Sequence, residues 1–215
     1  MRVVGRAAPL LYGLDIETDT SDNGLDPTVA PIVAIALSTE REGDAVLTGR
    51  EDAVLRLVDD ALGELEPGVL VTWNGGAFDL PFLADRARRH GLELGLELHW
   101  DPAASRPGRA PLPGHIGTYA ARWWGHQHLD AYRAWRSLTA DPDESCALKA
   151  VARREGLDAV EVDCERLHEV PLNTLRRYVH SDACLARTLA RLRWDDLRRH
   201  VDRLPTGGQL ALGSC

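Results

Sequence analysis

Five residues in this sequence combine type and spacing in a way that could do chemistry. Asp15 and Glu17 end the stretch LLYGLDIETDT (10–20), two residues apart. On an extended strand that spacing sends both side chains out of the same face. Asp79 follows a Gly-Gly break in VTWNGGAFDLPFL (71–83). Tyr178 and Asp182 stand four residues apart in RRYVHSDACLARTLARL (176–192), which puts them on one face of a helix. Carboxylates are the hard oxygen donors that Mg²⁺ prefers, and no thiol or imidazole belongs to the set. Two like charges about 4 Å apart repel by about 4 kcal/mol at an effective dielectric of about 20. Four acids drawn together would therefore have to bind cations or take up protons.

Taken singly, each of these residues also has a bland role. The pair Asp15/Glu17 could sit on a solvated edge strand. Asp is a preferred helix N-cap, which suits Asp79 at the start of a helix. Asp130 in HLDAY (128–132) reads as an N-cap rather than a fifth ligand. His180 lies about 200° around the helix from Tyr178 and reads as an outward-facing surface histidine. Asp19, Asp22 and Asp26 read as a solvated loop. Trp123, Trp124 and Trp135 could stack bases but read better as core, although adjacent Trp123 and Trp124 cannot both point inward.

The elements that must position these groups follow from the pattern. PLLYGLDIE (9–17), PIVAIALST (31–39), DAVLTG (44–49) and GVLVTW (68–73) read as strands, the first three as an antiparallel meander. EDAVLRLVDDALGEL (51–65) places Val54, Leu55, Val58, Leu62 and Leu65 on one helical face. A second helix covers 79–91, with Asp79 as its N-cap and Gly91 as its stop. Residues 101–118, rich in Pro, Gly and Ala, predict a long surface loop, either an insertion or a substrate-facing flap. Helices follow after Asp130, over 145–156 and over 171–194. The order predicts one α/β domain with a mixed sheet over residues 1–204 and a flexible tail over 205–215.

Composition bounds the rest. The chain has 215 residues, of which 44% are hydrophobic and 27% charged, as in an ordinary globular domain. No apolar run nears the roughly 18 residues of a membrane span, and the N-terminus lacks a signal-peptide pattern. A cytoplasmic protein with no membrane partner is expected. Cys146, Cys164, Cys184 and Cys215 are widely spaced, which suits reduced thiols rather than a disulfide framework or structural zinc site. The net charge of −8 speaks against a basic nucleic-acid-binding face. The bases are almost all arginine: Lys149 is the sole lysine.

The three motifs, in this order, resemble the DnaQ-like 3′–5′ exonucleases of the DEDD superfamily, whose fold is RNase H-like: a mixed β-sheet flanked by helices. DIET carries Asp15 and Glu17. NGGAFD, Asn74 to Asp79, matches N-x-x-x-F-D, and YVHSD, Tyr178 to Asp182, matches Y-x-x-x-D. The tyrosine marks the DEDDy branch; the histidine of the DEDDh branch would fall at Arg177. PIVAIALS, HLDAY and SCALKAVARREGL are also similar to parts of the proofreading domains of family B DNA polymerases, and free-standing exonucleases related to those domains are the nearest group. The loop at 101–118 has no counterpart in this likeness.

The resemblance implies a hydrolase of phosphodiester bonds at 3′ ends of nucleic acid, with single-stranded DNA favoured, that releases nucleoside 5′-monophosphates. It implies two divalent cations, Mg²⁺ or Mn²⁺, which would also reconcile an acidic protein with an anionic substrate. Asp15 would touch both cations, Glu17 and Asp182 one of them, and Asp79 the other. Tyr178 would orient the attacking water. Thr18, Asn74 and Phe78 would line the pocket for the terminal nucleotide. The same fold could instead serve a low-turnover module that binds nucleic-acid ends, or an exoribonuclease. A haloacid-dehalogenase-type phosphatase fails because Glu17 stands where a second Asp is needed. A calcium loop from Asp19 fails because Ala30 stands where its bidentate Glu belongs.

Overall fold

The computed structural model describes residues 8–104 and 110–204; the expected tail over 205–215 lies outside the described residues. One seven-stranded sheet organises them, in the order β3-β2-β1-β4-β7-β6-β5. Its strands are β1 (Leu11–Thr18), β2 (Ile32–Ser38), β3 (Ala45–Thr48), β4 (Val69–Thr72), β5 (Leu96–Trp100), β6 (Tyr119–Trp123) and β7 (His126–Asp130). β1, β4 and β7 run parallel at the centre. The meander β1–β2–β3 on one side and β5–β6–β7 on the other are antiparallel. β1 is therefore interior, paired on both sides, and the edge-strand explanation for its acids falls.

The helices divide between the two faces. α1 (Glu51–Glu64) and α2 (Asp79–Arg89) cover one, packing Val54, Leu55, Val58, Leu62, Leu80 and Phe82 onto Tyr12, Leu14 and Ile16 of β1. The other face carries α3 (Ala131–Leu138), α4 (Leu148–Arg154) and the 21-residue α5 (Leu172–Leu192), followed by the short α6 (Trp194–Leu197). α5 meets the sheet through Leu175, Val179, Ala183, Ala186 and Leu189, a helical stripe. None of the described helices is long and apolar enough to cross a membrane.

Three strands depart from the sequence expectation of helices beyond residue 91. β5 is half-exposed along its length, and β7 buries His126, His128 and Asp130 beside a single aliphatic residue, Leu129. Neither gives the apolar alternation by which strands are read. Burial of those histidines is met by hydrogen bonds: His126 Nε2 reaches the Leu62 carbonyl at 2.8 Å, and His128 Nε2 reaches Thr72 Oγ1 at 2.8 Å. The 101–118 stretch joins β5 to β6, and its described second half is not a free flap. Leu112 and Thr118 are buried. His115 bridges Asp85 of α2 and the Tyr119 hydroxyl, each at 3.0 Å.

Candidate active site

β1 sets the site by what it turns toward α5. On that face Leu11 is followed by Gly13, Asp15 and Glu17, an apolar anchor, a gap and two acids. A Cβ on Gly13 would lie 2.0 Å from the Ala183 carbonyl oxygen, so only glycine admits the α5 backbone there. Ala34 and Ala36 of β2, both fully buried beneath Tyr178, Val179 and Ala183, extend the same shallow bed. α5 thus lies close on the sheet, and Asp182 arrives beside β1.

Carboxylate oxygens of Asp15, Glu17 and Asp182 all lie within 4.8 Å of one another. Asp15 Oδ2 and Asp182 Oδ1 are buried and have no hydrogen-bond partner. Buried polar atoms are nearly always paired, so two orphaned acceptors in one acidic cluster fit a cation. Asp79 adds a fourth charge from the first turn of α2. It is not the N-cap expected from sequence: Phe78 holds that position, no side-chain cap bond forms, and Asp79 is buried at 5% exposure. The carboxyl turns inward because the NGGAFD turn aims it there.

That turn is held by a second acid. Asp130 caps α3 by accepting from the Arg133 N–H at 3.2 Å, as the sequence predicts. The same carboxylate also accepts from the N–H groups of Asn74 at 3.1 Å and Gly76 at 3.3 Å. Thr72 Oγ1 accepts from the Gly75 N–H at 3.1 Å and is itself met by His128, whose Nδ1 lies 2.7 Å from Asp202. Asn74 takes φ +73°, a left-handed conformation that Asn tolerates. A Cβ on Gly75 would fall 2.2 Å from Thr72 Oγ1, and one on Gly76 would fall 2.5 Å from the Tyr119 carbonyl oxygen.

Charge accumulates accordingly. Burial, then Glu17, Asp79 and Asp182, push the Asp15 carboxyl well above its usual range. Burial and the charges of Asp182 and Asp79 push Glu17 up to about 8. Burial, reinforced by Asp130, pushes Asp79 up to about 7, against hydrogen bonds from its own backbone and that of Ile16. Burial pushes Asp182 up to about 6, against the pull of Lys149. Lys149, on α4, places Nζ 3.2 Å from Asp182 Oδ2 and 3.7 Å from the centre of the Tyr178 ring. The one trace of this position in the sequence is that Lys149 is the sole lysine among the bases.

Tyr178 is buried, with its hydroxyl 3.2 Å from Cys164 Sγ. Burial, Glu17 and Asp182 raise its pKa further, so the phenol stays protonated. Asn74 and Phe78 line a cavity of about 370 Å³ together with Asn23, Leu25, Leu112 and Ile116. Thr18 differs from these two: it is buried, and its hydroxyl donates to the Gly24 carbonyl at 2.6 Å, closing the loop after β1. Asp19 and Asp26 accept local backbone N–H bonds in that loop, away from the cluster. Trp123 and Trp135 are core, whereas Trp124 is half-exposed on a turn with φ +50°.

A sequence profile of the RNase H superfamily matches residues 13–170. The chain belongs to the RNase H superfamily. Within it, the likeness to the DnaQ-like proofreading exonucleases of family B polymerases holds in sequence and in fold. The chain is 30% identical to the DNA polymerase of Pyrococcus glycovorans over 139 residues, 59% of this chain and 17% of the polymerase. It is 33% identical to a catalytic subunit of DNA polymerase epsilon from Arabidopsis thaliana over 125 residues, 56% of this chain and 5% of that protein. The family B DNA polymerase of Pyrobaculum calidifontis superposes with a TM-score of 0.67 at 26% identity, over 86% of this chain and 24% of the polymerase. This RNase H superfamily member therefore spans less than a fifth of the length of these two sequence relatives.

Proposed function

We propose that this chain is a DEDDy-type 3′–5′ exonuclease that hydrolyses the terminal phosphodiester of single-stranded DNA and releases nucleoside 5′-monophosphates. The observation that carries the reading is the meeting of Asp15, Glu17 and Asp182 with two orphaned carboxylate oxygens among them. Asp15, Glu17, Asp79 and Asp182 would hold two divalent cations, Mg²⁺ or Mn²⁺, which supply the positive charge that activates water and stabilises the leaving oxygen.

The chain's own groups do the positioning. Lys149 engages Asp182 through Oδ2 and leaves Oδ1 buried without a hydrogen-bond partner. It also draws the excess negative charge down, since it opposes the rise in pKa at Asp15, Glu17 and Asp182. Tyr178 keeps its proton, so its hydroxyl serves to orient a water rather than to take a proton from it. Asn74 and Phe78 face the cavity, and Phe78 directly precedes Asp79 in the chain; there one side chain can hydrogen-bond and the other pack against a terminal nucleotide. Thr18 would shape that pocket through the loop its hydroxyl closes.

The test is direct. End-labelled single-stranded DNA, duplex with a 3′ overhang and RNA are incubated side by side with Mg²⁺ or Mn²⁺. Stepwise loss of 3′ mononucleotides, fastest on single-stranded DNA, is expected. End binding without release by the wild-type chain would overturn the proposal.

A further inference from the structure

A second group of metal-binding side chains lies on α5, turned away from the acids. His180 and Cys184 are one helical turn apart and share a face, and Asp44, just before β3, comes up against them. The Asp44, His180 and Cys184 donor atoms all lie within 4.8 Å of one another. Asp44 Oδ2 is 2.7 Å from His180 Nε2 and 3.4 Å from Cys184 Sγ, and Cys184 Sγ is 3.4 Å from His180 Nε2. Asp44 and His180 meet as a hydrogen-bonded pair, and Cys184 Sγ lies against both of them.

The surroundings hold the donors in place. The Thr39 N–H donates to Asp44 Oδ1 at 2.8 Å, which leaves Oδ2 turned to the histidine and the thiol. Ser38 Oγ lies 3.3 Å from Cys184 Sγ. Arg187 is the adjacent positive charge. It donates to Ser38 Oγ at 2.9 Å and faces Glu40 at 4.0 Å, so part of its charge is answered away from the cluster.

We propose that Asp44, His180 and Cys184 form a binding site for one borderline transition-metal cation, with Zn²⁺ the best match. One thiolate, one imidazole and one carboxylate suit Zn²⁺ or Co²⁺ and not Mg²⁺, which favours oxygen donors. Binding would release the Cys184 thiol proton to solvent, while His180 would coordinate as neutral imidazole through Nε2 and carry its one N–H on Nδ1. Three protein ligands leave a fourth tetrahedral position for water or an incoming donor. The cation would tie the β2–β3 hairpin to the back of the helix that carries Tyr178 and Asp182.

Co²⁺ titration of the full chain tests this, with excess Mg²⁺ present to occupy the four-acid cluster. One equivalent of Co²⁺ should give a sulfur-to-cobalt charge-transfer band with tetrahedral visible bands, and Zn²⁺ should erase both. Cys184→Ser should abolish the charge-transfer band, and His180→Ala should weaken binding at least tenfold, so either folded variant suffices. Cys164→Ser is the control, because Cys164 is the thiol beside Tyr178. No charge-transfer band in the wild type overturns the proposal and leaves a plain hydrogen-bonded triad. So does a band that survives Cys184→Ser and disappears with Cys164→Ser.

Discussion

The two faces of β1 are built for opposite purposes from alternate residues of one eight-residue strand. Toward α1 and α2 it presents Tyr12, Leu14 and Ile16, large groups whose burial stabilises the domain. Toward α5 it presents Gly13, Asp15 and Glu17, where small size and charge displace apolar packing. The first face contributes stability; the second gives some of it up to concentrate negative charge. Substitutions on the two faces should therefore separate activity from stability.

The largest effect belongs to the acids. Asp15→Ala and Asp182→Ala should each lower nucleotide release by about 10³-fold while the protein stays folded. Leu14→Ala should do the reverse, costing about 2–5 kcal/mol of stability in denaturant titrations with turnover per folded molecule kept. If Leu14→Ala abolished turnover at full folding, the separation of faces would fail. Next comes Gly13→Ala, whose added methyl must push the α5 backbone outward. A shift of about 1 Å in Asp182 would cost about 10²-fold in turnover, together with about 1–3 kcal/mol of stability. Lys149→Met should cost about tenfold, with partial rescue by Lys149→Arg, because it orients Asp182 without being one of the acids. Unchanged kinetics in Lys149→Met would reduce its contact to a surface ion pair.

The smallest effect is a pH dependence in the presence of chelator. Folding raises Glu17 to about 8, Asp79 to about 7 and Asp182 to about 6. The folded protein then holds protons that the unfolded chain has released. The stability these groups contribute is greatest below the unfolded carboxylate range, near pH 4, and falls as pH rises toward about 8. Melting temperatures should drop over that window, and Mg²⁺ should restore more at about pH 8 than at about pH 6. Asp15→Asn should flatten the profile and raise the chelated protein's melting temperature by about 2–4 °C at high pH. A profile that rises with pH would show that the acids are not crowded as described.

Much of this was legible in the sequence. β1, β2, β3 and β4 lie within one or two residues of the runs that predict them, because apolar β-branched segments bounded by turn residues carry their own signal. α5 and its Tyr178/Asp182 face follow from a four-residue spacing. Asp130 was readable as a cap but not as the clamp on the NGG turn, since that second role depends on β7 lying beside β4. Asp79 does not cap because α2 starts one residue earlier than its position suggests, with Phe78 at the N-cap and Asp79 in the first turn; the equally buried Asp130 does cap α3. Outward-facing His180 was legible from helical phase, but its neighbours Asp44 and Cys184 were not grouped with it, because Asp44 lies 136 residues away.

The wall of the cavity around Asn74 and Phe78 has a mechanical consequence. His115 fastens that wall to Asp85 of α2, and the Tyr119 N–H fastens it again to the Gly76 carbonyl at 2.8 Å. Asp79 opens the same helix. The surface that would receive a base is therefore pinned both to α2 and to the turn that leads into it, the same stretch of chain that carries Asp79. Two fastenings close in sequence thus fix the distance between that surface and Asp79 within one short segment.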